Sequence, residues 1–128
     1  MFGMFHMFGR SSELKAVDHA LREAGLHPQI VPEAVKLTTI RLLKAEATVG
    51  ARPSEAAYHE AVQLLGYCIQ GREEFMACNG ALATGRAEER LRHAIDAGDS
   101  LDARFVLLAL HAGVIAPDVG DRFDLESG

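Results

Sequence analysis

The twelve residues LDARFVLLALHA, positions 101–112, constrain this chain more than any other stretch. Drawn as a helix at 100° per residue, Leu101, Phe105, Leu108, Ala109 and Ala112 fall on one face. Ala103, Val106, Leu107 and Leu110 fill most of the opposite side. Arg104 and His111 share one narrow polar strip, and Asp102 is the other polar position. A helix apolar nearly all round has to be enclosed by others. The expectation is therefore an all-α fold, an irregular or orthogonal bundle arranged around residues 101–112.

The rest of the chain reads the same way. Its 128 residues suffice for one core without metal or disulfide staples. Aromatic residues make up only 6% of the chain, so the body is built from Leu, Ala, Val and Ile, which suit packed helices. No stretch alternates with period two over a strand length. Helix punctuation is frequent. Ser12 and Ser54 read as N-caps, and Gly25, Gly71 and Gly98 read as stops. Pro32 fits a first helical position, Asn79-Gly80 ends a short helix over 72–78, and Asp99 caps the helix over 101–112. ALATG then reads as a connection into a helix over 86–97. The expected total is five main helices plus one or two short ones.

Two helices carry distinct messages. In the first, Leu14, Val17, Ala20, Leu21 and Ala24 make one apolar face, and Lys15, Asp18 and Arg22 the solvent face. The helix over 32–47 is less tidy. Leu37, Ile40, Leu43 and Ala47 mark one face, while Val35 and Leu42 point elsewhere. It needs two packing partners, either neighbours in the same domain or a second subunit.

Residues 1–10 stand apart as an apolar N-terminal arm, with residues 11–128 forming a single helical domain. The arm, MFGMFHMFGR, holds three of the four methionines and half of the six phenylalanines. Two glycines in nine residues work against an autonomous helix. Three readings fit it: a frayed terminus, a sticky segment that docks through Phe2, Phe5 and Phe8, or a membrane-surface contact by residues 1–9. The last lacks a basic flank beyond Arg10.

Charge and motifs remove several functions. The formal charge of −5 is concentrated in residues 51–128, with no clustered basic face to meet a polyanion. The helix pair 86–97 and 101–112 has the spacing of a helix-turn-helix, but its second helix is the most apolar in the chain, which speaks against a DNA reader. Gly80 and Gly85 have phosphate-loop spacing without the lysine, the hydroxyl residue or the preceding strand. Cys68 and Cys78 are ten apart and match no metal motif, and Glu55/His59 and Glu89/His93 are spaced by four on outward faces. No metal or cofactor is expected. No triad order or cofactor fingerprint is present, so catalysis would rest on His111 with Arg104, and His59 and Tyr67 are the further candidates. The longest uncharged run, thirteen residues, is too short to span a bilayer. With two cysteines and no basic, apolar leader pattern, a cytosolic protein is expected.

The favoured expectation is a non-enzymatic helical interaction or scaffolding module that self-associates, with Phe2, Phe5, Phe8, Val35, Leu37 and Leu42 as interface candidates. The alternative is a small-molecule-binding domain or minor enzyme using the Arg104/His111 strip. A further alternative is a regulator acting with nucleic-acid-binding partners.

Overall fold

In the computed structural model, which describes residues 11–48 and 51–125, the chain is all-α: six helices, a single 3-10 turn and no strand among those residues. The helices are α1 (Ser12–Glu23), α2 (Glu33–Glu46), α3 (Glu55–Gln70), α4 (Arg72–Ala97), α5 (Leu101–His111) and α6 (Pro117–Arg122), with the 3-10 turn at Pro28–Ile30. No helix among the described residues is long and apolar enough to cross a membrane.

Serine caps start three of the helices. Ser11, Ser54 and Ser100 each accept from the backbone N–H three residues on, at 3.0–3.1 Å. Two caps therefore lie one residue from their expected positions, at Ser11 instead of Ser12 and Ser100 instead of Asp99. Pro32 flanks Glu33 as the last residue outside α2. The stops at Gly25, Gly71 and Gly98 all adopt positive φ. Gly80 also leaves the helical region, at φ 91°, but the chain turns straight back into helix at Ala81. ALATG is thus the first turn of a continuing helix and not a connection. Its Thr84 is fully buried and donates to the Gly80 carbonyl at 2.8 Å.

The central element is α3, not residues 101–112. It touches α1, α2, α4 and α5 and buries Tyr58, Ala61, Val62, Leu64, Leu65, Gly66, Tyr67 and Cys68. By contrast, α5 buries Ala103, Phe105, Val106 and Ala109, leaves Leu108 and Leu110 half-buried, and exposes 47% of Leu107. Helical periodicity measures how much apolar surface a helix carries. Which part is covered depends on the neighbours available, and small residues let α3 take more of them.

Besides Thr84, four polar residues sit inside: Asp18, Lys36, Thr39 and Glu88. Asp18, placed by periodicity on the solvent face of α1, is 6% exposed and pairs with buried Lys36 of α2 at 2.9 Å. Thr39 is buried with its hydroxyl donating to the Val35 carbonyl, 2.8 Å away. Because Lys36 and Thr39 have partners, α2 can turn Val35, Ile40 and Leu43 inward and leave Leu37 outside. Glu88 of α4, next to the outward-facing Glu89, points into the fold.

Candidate functional site

Polar groups converge most densely where α3, α4 and α6 meet. The Tyr67 hydroxyl donates to Glu88 Oε2 at 2.7 Å, Arg72 Nε donates to the same oxygen at 3.0 Å, and an Arg122 guanidinium nitrogen lies 3.6 Å from it. Tyr67 stacks edge-on against Phe75 and Phe123, with centroid separations of 5.7 and 6.4 Å. Gly71 lets α3 pass into α4 in one residue, and Asp118 of α6 accepts from the Arg72 backbone N–H at 3.0 Å. A Cβ on Gly71 would lie 2.5 Å from that carboxylate.

This cluster has the residue types of acid–base chemistry, with the tyrosine enclosed and the two arginines about half exposed. Burial and the adjoining Glu88 carboxylate push the Tyr67 phenol well above its usual range, so it remains a hydrogen-bond donor at neutral pH. The residue has no exposed surface at all. A side chain enclosed in this way is closed to solvent, and the Tyr67 hydroxyl joins α3 to α4. Cys68, at the next position of α3, is equally enclosed, and full burial pushes its thiol up to about 12.

A second tie joins α4 to α5. Arg90 makes two parallel bonds to Asp102, at 3.0 and 2.8 Å, and donates to the Glu60 carbonyl of α3 at 2.8 Å. Bidentate geometry of this kind fixes orientation as well as distance. It holds the C-terminal half of α4 alongside α5 in one register.

An apolar cleft lies between the two helices. Ala94 and Ile95 of α4, Gly98 at its end, Ala103, Val106, Leu107 and Leu110 of α5, and Leu125 line about 150 Å³ with no charged residue among them. Its two walls end in the exposed side chains Ile95 (41%) and Leu107 (47%). Other clefts are larger but built differently. Two adjoining hollows beside Arg72, Glu73 and Asp118 measure about 580 and 650 Å³ and are open and charged. A third, of about 320 Å³, lies between Lys15, His19, Glu23, Glu55 and Tyr58. Pockets for drug-sized ligands start at roughly 300 Å³. The apolar cleft is half that, the right size for a side chain and too small for a cofactor.

The interface candidates fare differently. Val35 is 2% exposed and covered by its own chain, Leu42 is half-buried, and Leu37 is 45% exposed. Phe2, Phe5 and Phe8 lie outside the described residues. Arg104 and His111 are both exposed. Arg104 lies 3.5 Å from Glu46 and 3.6 Å from Asp99, and neither Arg104 nor His111 lines the clefts named above. No group of three or more His, Cys, Asp or Glu among the described residues is arranged to hold a metal ion.

Sequence reasoning missed Ile95 and Leu107 as surface. Leu107 reads as one side of an enclosed helix, and nothing in the local pattern of residues 86–97 marks Ile95 as exposed. Comparison of the chain with protein-family models, characterised proteins and solved structures yields no match.

Proposed function

We propose that the protein is a non-enzymatic helical interaction module that self-associates through the α4–α5 cleft. One observation carries this reading: an uncharged cleft lined by two large exposed apolar side chains, Ile95 and Leu107, between helices that the Arg90–Asp102 pair joins. Exposed apolar surface of this kind gains about 25 cal/mol for each Å² removed from water, less the cost of association. The polar clusters favour the same reading, since each is consumed in joining helices.

The measurement is molar mass by light scattering over a wide concentration series, for the full chain, for Leu107→Glu and for the triple variant Phe2→Ser/Phe5→Ser/Phe8→Ser. Reversible association that Leu107→Glu abolishes is the expected result. A strict monomer for both the full chain and the triple variant at the highest concentration would sink the proposal.

A further inference from the structure

The cleft between α1 and α3 is lined by charged groups that, among the described residues, tie no two helices together. We infer that it binds a zwitterion, an α-amino acid with an apolar side chain, whose carboxylate meets Lys15 and whose ammonium meets Glu55. The site shares no residue with the α4–α5 cleft, so it is independent of the interaction reading.

Helix periodicity builds the site. Ser12, Lys15, Ala16, His19, Ala20 and Glu23 follow one another at helical spacing and line it along one side of α1. Glu55 and Tyr58 complete the lining from the start of α3. Ala20 and Tyr58 are 4% and 5% exposed and so form the floor, whereas Lys15, His19, Glu23 and Glu55 are exposed and form the rim. The volume of about 320 Å³ falls within the range of small-molecule sites, which begins at roughly 300 Å³. An apolar floor with a few polar groups around it is the usual make-up of such sites.

Charge selects the ligand. Among the described residues, no hydrogen bond or ion pair engages the Lys15 ammonium or the Glu55 carboxylate. His19 and Glu23 lie 3.5 Å apart and engage each other on the same helix. Elsewhere the charged lining is already committed: beside the larger hollows Arg72 is held by Glu88, and Asp118 accepts from the Arg72 backbone. A simple anion in the α1–α3 cleft would face the carboxylates of Glu23 and Glu55, and a simple cation would face Lys15. A ligand carrying both charges finds an opposite one on each wall, Lys15 on α1 and Glu55 on α3. Its apolar side chain then rests against Ala16, Ala20 and the Tyr58 ring.

The test titrates the isotope-labelled full chain with L-phenylalanine, phenylpropionate and phenylethylamine, read by backbone amide NMR shifts. The probes share one ring and ethylene stem; phenylpropionate lacks the ammonium and phenylethylamine lacks the carboxylate. L-Phenylalanine is expected to saturate shifts at Lys15, His19 and Glu55 with a Kd on the order of 1 mM. Each probe with one charge is expected to bind about fivefold more weakly. Lys15→Gln should weaken L-phenylalanine by about the same factor without weakening phenylethylamine, and Glu55→Gln should do so without weakening phenylpropionate. Both side chains are exposed, so the core is untouched, and the comparison of probes on the unsubstituted chain needs neither variant. Absent or unsaturable shifts overturn the inference, as do equal affinities for the three probes or shifts centred on Ile95 and Leu107. An equal loss for every probe in both variants overturns it too. A chain that binds L-phenylalanine as expected but never associates leaves this site standing and removes the proposed function alone.

Discussion

The two tyrosines of α3 are both buried, and their hydroxyls are treated in opposite ways. Tyr67, at the C-terminal end, donates to Glu88 and is enclosed by Phe75 and Phe123. Tyr58, about two and a half turns earlier, is 5% exposed, and its hydroxyl has no hydrogen-bond partner among the described residues. Burial pushes both phenols up, with Glu88 adding to the effect at Tyr67 and Glu13 at Tyr58. At both positions the ring supplies apolar area. Only at Tyr67 does the polar tip also specify which helices meet, because Glu88, Arg72 and Arg122 come from α4 and α6.

The largest expected effect tests that difference at its centre. Glu88→Ala should cost about 2–3 kcal/mol, since it orphans the Tyr67 hydroxyl and removes the shared partner of two arginines. Urea unfolding with an unchanged slope measures it, and a loss below about 0.5 kcal/mol would show the cluster to be no more than decoration. Next come the two tyrosines themselves. Tyr67→Phe should cost about 1–1.5 kcal/mol, while Tyr58→Phe should fall within about 0.5 kcal/mol of zero or stabilise. Equal losses at both positions would erase the contrast.

Gly66 lies between the tyrosines, one position before Tyr67, in helical backbone. A Cβ there would meet Ala24, Gln70 and Phe75 at 3.6 Å, which is ordinary contact. Gly66→Ala should therefore raise stability by up to about 1 kcal/mol, read from the same urea midpoints. A destabilised variant would mean that α1 and α4 approach α3 more closely than these contacts show. The smallest effect belongs to the Tyr58 end. Hydrogen bonding to Lys44 holds the Glu13 carboxyl below its ordinary value of 4.5. A depressed folded-state value means stability that is present above about pH 4.5 and lost as pH falls through the folded value. Glu13→Gln should lower the melting temperature slightly at neutral pH, leave the acid end nearly unchanged, and so flatten the acid side of the profile. A profile with the same acid slope in both proteins would remove Glu13 from that account.

Most of the helix plan was readable because helix ends are local chemistry. Serine oxygens meet backbone N–H groups three residues on, and Gly25, Gly71 and Gly98 accept φ values that cost other residues energy. The break at Gly80 was readable for that reason, but its outcome was not. Whether a chain leaves a helix there or re-enters one depends on where Thr84 and Ala87 find burial. The candidate cleft was less legible still. Leu107 and Val106 are adjacent, similar in character and equally suited to a core, yet one is 47% exposed and the other 5%.

By itself, then, the sequence determined an all-α chain, its helix boundaries to within a residue or two outside residues 79–85, and a supply of apolar surface on residues 101–112 larger than one face. Those follow from backbone capping and from the 3.6-residue period, which act over a few positions. Tertiary structure alone decided that α3 is the element the others surround, that Asp18 and Glu88 turn inward, and that the surplus of α5 becomes a cleft beside Ile95. Those outcomes depend on pairings such as Asp18 with Lys36, Tyr67 with Glu88 and Arg90 with Asp102, whose members are 12 or more residues apart. No local pattern encodes which distant partner will be there to satisfy a buried charge.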